Sequence, residues 1–507
     1  MSASPDRRSF LQSSAALGLG GLSFLDGLPA VSADDAKIDP KLVRLDAEIE
    51  PLVRLLEETP REKVLEEVAA RVKKGTPYRD VLAALLLAGV RNVAPRPSVG
   101  FKFHAVLVVN SAHLASLAGP DRERWLPIFW AIDNFKSAQA TNLKETGWRM
   151  APVDEMKLPP AHKAFEAFTR AMDSWDIEAA DVAVAALARS ASANQLLDTF
   201  ARYGCRDFRD IGHKAIFVAN SFRALDTIGW QHAEPVLRSL AYALLHHEGG
   251  NDPAKRDDKP EQPGRRNAEL ARKFKAEWQS GKPSPEAVGE VLAAVRTASD
   301  AELSDRVVLL LNGGVSPRSV WDGLFVGAAE LLMRQPGIVA LHTLTTLNAL
   351  HHSYQTIVGD DHARKLQLLQ AAAFLPLFRE AMKSRGKIDE SRIDVLGIEV
   401  PNDPIPVKFE EIYPTLSKNK MAAAQMAADY LRQNPAGARQ LVDAGRLLIF
   451  LKGTDSHDYK FSSAVMEDYE FIAPQWRDRF LAASLFWLKG SASPDSPLVA
   501  RTRAALA

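Results

Sequence analysis

Apolar positions recur with a helical period along nearly the whole chain. The β-branched runs fall inside that period, so strand patterns are scarce and the expected class is all-α. Two stretches repeat each other. Gly75 to Gly89 and Gly314 to Ala328 each carry a glycine turn, a proline near a helix start and then an apolar helix. With a one-residue gap the following helices align too. His104, Asn110 and His113 have the same spacing as His342, Asn348 and His351, three polar residues inside apolar helices. A weaker copy lies between them, Gly212-His213 running to Asn220-Ser221, and another follows them at Ser456-His457. Each histidine helix is followed by a loop and an amphipathic helix and preceded by two short helices.

The fold expected is therefore a helical-repeat or pseudo-symmetric multi-helix bundle made of four diverged units in two halves. Short connections favour antiparallel packing, and both an open solenoid and a closed bundle satisfy the pattern. The first half covers residues 34–250 and the second 269–490. Residues 251–268 read as a charged, Pro/Gly-rich linker, and 491–507 as a C-terminal tail. A second irregular stretch runs from Lys387 to Pro414.

The N-terminus changes the picture. Arg7-Arg8-Ser9-Phe10-Leu11 precedes a short apolar segment, Ala15 to Leu25, and a small-residue site at Val31-Ser32-Ala33. That is the pattern of a cleavable twin-arginine signal over residues 1–33. It implies passage through the twin-arginine translocase, and a mature protein that is periplasmic or secreted. No later stretch offers ~20 uncharged apolar residues, so no transmembrane segment is expected in the mature chain. The twin-arginine route carries folded proteins, which suits a cofactor acquired before transport.

Composition narrows the chemistry. Lys plus Arg and Asp plus Glu number 63 each, so net charge gives no reason to expect nucleic acid as a partner. The one cysteine, Cys205, excludes an internal disulfide and an iron–sulfur cluster, and stability must come from a packed core. Without Cys-x-x-Cys-His there is no c-type haem. Signatures of metalloproteases, nucleotide loops, serine hydrolases and di-iron carboxylate bundles are also missing.

What remains is histidine. If four equivalent units pack around one axis, His104, His213, His342 and His457 meet near it. Four imidazoles would suit iron, copper or zinc, and two could alternatively clamp a non-covalent haem. His113 and His351 are secondary candidates. Nine residues along a helix is about 900°, so each faces away from the first histidine of its helix. Glu330 is a lone carboxylate in an apolar helix, with Arg91 at the matching place in the first copy.

The stretch Gly212 to Leu225, followed by a second amphipathic helix, resembles the questin oxidase-like family, helical proteins with histidine-bearing helices. The resemblance implies oxidative chemistry on a polyketide-like aromatic substrate. The expectation is an exported metal- or haem-dependent oxidoreductase acting on a small molecule. The alternative is a helical-repeat binding or scaffold protein whose histidines are packing residues.

Overall fold

The computed structural model describes residues 39, 41–96, 102–248, 252–397 and 406–507. The export signal expected over residues 1–33 lies outside them, as do 249–251 at the start of the expected linker and 398–405 within the second irregular stretch. Among the described residues the protein is all-α, and the only β-type pairing is a single bridge between Lys282 and Val315.

In chain order the helices are α1 (Glu50–Glu58), α2 (Arg61–Lys73), α3 (Tyr78–Asn92), α4 (His104–Ala118) and α5 (Leu126–Glu145). Next come α6 (Ala164–Asp173), α7 (Ile177–Ser190), α8 (Ala193–Gly204), α9 (His213–Ile228) and α10 (Ala233–Leu245). After α11 (Gln262–Leu270) follow α12 (Pro285–Thr297), α13 (Asp300–Asn312), α14 (Pro317–Arg334), α15 (Ile338–Thr356) and α16 (Asp361–Lys383). The series ends with α17 (Phe409–Leu416), α18 (Lys420–Gln433), α19 (Ala438–Lys452), α20 (Ser456–Phe471), α21 (Pro474–Ser484) and α22 (Pro497–Leu506).

Local chemistry sets many of these boundaries. Reciprocal capping boxes start α8 at Ser192 with Gln195 and α13 at Ser299 with Glu302. Proline sits in the first turn of α12 and α14, where its missing N–H costs no hydrogen bond. α14 is buried on nearly every face, the signature of an interior helix rather than a surface one.

The four histidine helices form the centre. α4 packs on α9, α9 on α15, α15 on α20, and α20 returns to α4, so the ring closes. A second layer surrounds it. The helix after each inner helix packs on that helix and on the helix preceding a neighbour's inner helix: α10 on α3, α16 on α8, α21 on α14 and α5 on α19. One contiguous apolar cluster runs from Val43 to Val499, so the two halves share a core.

Two segments read as connections are structured. The helix α11, Gln262 to Leu270, begins in the expected linker and ends two residues beyond it. Its Asn267 is wholly buried and donates to the Leu369 carbonyl and to Gln370 on α16. The C-terminal tail contains α22, docked on α2, with Arg501 paired to Glu66 and Arg503 to Glu123. Each is short and buries only two or three residues, too few to show a periodic apolar stripe.

Glu330 is not a lone carboxylate. It pairs with Arg296 and accepts the Ile393 N–H. Arg91, at the matching place, pairs with Glu57 and with Glu50. Both the Arg91–Glu57 and Glu330–Arg296 pairs join residues 34 positions apart, with the charges exchanged. Removing one partner of such a buried pair strands the other. Arg91→Leu is expected to lower unfolding free energy by about 3–5 kcal/mol in a urea titration. Arg501→Ala, which breaks a partly exposed pair, is expected to cost under about 1 kcal/mol.

Candidate metal centre

The four histidines predicted to converge do so. His104 opens α4 and His213 opens α9, His457 is the second residue of α20, and His342 lies in the second turn of α15. All four side chains are buried, and one ligand nitrogen from each lies within 4.8 Å of the others. The rings touch in cyclic order. Centroids are 4.9 Å apart for His104–His213, 4.4 Å for His213–His342, 4.9 Å for His342–His457 and 4.8 Å for His457–His104. Rings in mutual contact leave no plane for a porphyrin between two of them, so the donor set fits a single ion and not the haem also considered from sequence.

Hydrogen bonding fixes what these nitrogens offer. His213 Nδ1 lies 2.6 Å from the Asp210 carbonyl, and His342 Nδ1 lies 2.6 Å from the Ile338 carbonyl. A carbonyl can only accept, so both Nδ1 atoms carry the proton. In the neutral ring, each Nε2 is then a bare lone pair. His457 Nδ1 is likewise tied to the Asp455 carboxylate, and its buried Nε2 has no partner. His213 Nε2 lies 2.9 Å from His104 Nε2 and 3.1 Å from His342 Nε2. A proton on His104 Nε2 satisfies the first contact. The second sets lone pair against lone pair, an arrangement that a cation resolves.

The spacing suits an ion. Imidazole–metal bonds of about 2.0–2.1 Å put neighbouring donors roughly 3 Å apart and opposite donors about 4 Å apart. Three Nδ1–oxygen bonds form the outer shell that orients ligating histidines and raises their basicity.

The local backbone is shaped for this. Asp455 caps α20 through the His457 N–H at 2.8 Å while its carboxylate also holds the His457 ring. Before α9, three consecutive residues are left-handed: Asp210 at φ 53°, Ile211 at φ 47° and Gly212 at φ 78°. A β-branched residue in that region is strained by about 1–3 kcal/mol. The turn delivers the Asp210 carbonyl to His213. Gly212 is required twice over, because a Cβ there would also meet Thr346 Oγ1 at 2.5 Å.

Sequence reading missed Asp455, the Asp210 carbonyl and Lys460. Lys460 lies one turn beyond His457, is 2% exposed, and puts Nζ 3.4 Å from His213 Nε2. Burial pulls its ammonium down to about 7. A lysine on the inner face of a helix was the available signal. The amine can supply a further donor to an ion or hydrogen-bond something held on it.

The secondary candidates do not join the centre. His113 Nδ1 meets the Tyr78 hydroxyl at 3.0 Å. His351 sits among Trp321, Phe325, Tyr354 and Phe471. Asn110 donates to Asn220, while Asn348 donates to Glu467 and Asp468. These amides form a polar layer farther along the same inner helices.

No family model, curated protein or solved structure matches the chain.

Burial holds His213 and His342 well below the ordinary imidazole value and brings His351 down to about 3. The unfolded chain takes up protons below about pH 6.5, while these buried rings stay neutral. Their contribution to stability is complete above that pH and is lost as pH falls. Urea titrations of metal-free protein are expected to show a lower unfolding free energy at pH 5 than at pH 7.5. The expected loss is about 2 kcal/mol for each fully buried histidine.

Proposed function

We propose that this protein is an exported, metal-dependent oxidoreductase whose centre is one iron or copper ion held by His104, His213, His342 and His457. The observation that carries the reading is the convergence of buried, unprotonated Nε2 atoms whose Nδ1 atoms are anchored to oxygen. Four neutral nitrogen donors suit iron, copper and zinc. A redox role is favoured over a structural one because the protein already has a large continuous apolar core and needs no metal to complete it. The resemblance at Gly212 to Leu225 adds a reaction class, oxidation of a polyketide-like aromatic substrate.

The ring is read as four copies of one unit. Supporting this are the cyclic contacts of inner and outer helices and the ion pairs of Arg91 and Glu330 at matching places. Loading before twin-arginine transport would explain how a centre this deeply buried is filled.

Metal analysis of protein purified from cells that export it is expected to find about one iron or copper per chain. The double substitution His104→Ala and His342→Ala is expected to abolish metal content while far-UV circular dichroism stays helical. A metal-free native protein would return the histidines to packing and favour the scaffold reading. Stoichiometric zinc favours a second reading, a closed structural site, for which the burial of all four ligands speaks. Export has its own test. Arg7→Lys with Arg8→Lys is expected to leave uncut precursor inside the cell, and normal processing of that variant would refute the twin-arginine route.

A further inference from the structure

His113 and His351 are the two members of the paired histidines that the ring does not use. His351 lies nine residues beyond His342 on α15, about 14 Å along the helix and on its opposite face. The two secondary histidines differ in one respect. His113 is hydrogen-bonded to Tyr78, whereas the His351 ring packs on Trp321, Phe325, Tyr354 and Phe471 and makes no side-chain hydrogen bond among the described residues. It is 6% exposed, and it lines a recess of about 440 Å³ between α14, α15 and the end of α20.

The recess has aromatic walls. Ring centroids of Trp321, Phe325 and Phe471 lie 4.8, 5.1 and 4.9 Å from that of His351, and Tyr354 is nearly parallel to it at 6.2 Å. Phe471 stands at the lip, 36% exposed. The Trp321 indole N–H is buried without a partner. An imidazole among aromatic rings with no hydrogen bond of its own leaves a donor and an acceptor to be met by something else. Nearby, Asp322 accepts the Ala473 N–H, and Glu470 joins it in lining the recess.

We propose that this recess is a second ligand site, for a flat, neutral aromatic molecule bearing a hydroxyl group. The ring faces of the ligand lie on the aromatic walls, which favour offset and edge-to-face packing. Its hydroxyl hydrogen-bonds the His351 imidazole, which burial keeps neutral. Arg318 lines the recess beside Asp322 and Glu470, so its rim carries both signs of charge. The site is independent of the metal centre.

The test is isothermal titration calorimetry of the full chain with 2-naphthol, in native and chelator-treated protein. The expected result is saturable one-to-one binding, equal in both preparations. His351→Phe keeps the aromatic wall and removes the hydrogen bond, and is expected to weaken 2-naphthol binding by about tenfold. Phe471→Ala, at the solvent-facing lip, tests the wall without disturbing the core and is expected to weaken it as well. No saturable binding overturns the proposal, and so does native affinity in both variants. Binding that disappears on metal removal overturns it too, by placing the ligand at the ring of histidines instead.

Discussion

Buried lone pairs facing one another are the constraint around which this molecule is arranged. His213 and His342 present unprotonated Nε2 atoms 3.1 Å apart, and His457 adds a third with no partner. Uncompensated acceptors in a low-dielectric interior are costly, and a cation converts that cost into coordination bonds. Helix geometry reinforces the arrangement. Three of the four imidazoles sit at the first or second position of their helices, where the positive end of the dipole favours the neutral ring. The residues that anchor the Nδ1 atoms are local: Asp210 and Ile338 through carbonyls, Asp455 through its carboxylate.

The surrounding helices keep the four inner helices in register. The inner helices pack most closely in cyclic order, and Arg223 of α9 crosses the ring to pair with Glu467 of α20, so a shift of one helix displaces its neighbours. The outer helices bridge adjacent inner helices. The docking of α22 on α2 ties the end of the chain back to its beginning. Strain is concentrated where register matters most. Ile211 holds a left-handed conformation next to Gly212, whose missing Cβ lets α9 approach Thr346 of α15.

Arg91 and Glu330, which the self-similarity of the sequence aligns, obey one constraint. Each is buried and each is neutralised by a partner 34 residues earlier. The polarity is exchanged between the two pairs because burial demands neutrality and does not specify which side is positive. The second histidines differ in another way. His113 is satisfied by Tyr78, while His351 lies in an aromatic recess with its hydrogen-bonding capacity unspent.

Periodicity alone settled the helical class, and self-similarity picked out His104, His213, His342 and His457, because residues at equivalent points of equivalent helices must occupy related places. It also located the helices on either side of each histidine, since an amphipathic stripe is a local property. Closure was a different matter. An open solenoid and a closed ring have the same stripes, and only the contact of α20 with α4 distinguishes them. Asp455, Lys460 and the Asp210 carbonyl were invisible as site groups because their roles depend on a backbone turn or on which helix face points inward. Segments such as α11 and α22 looked like linker and tail, since a helix of nine or ten residues is stabilised by the surface it docks on more than by its own sequence.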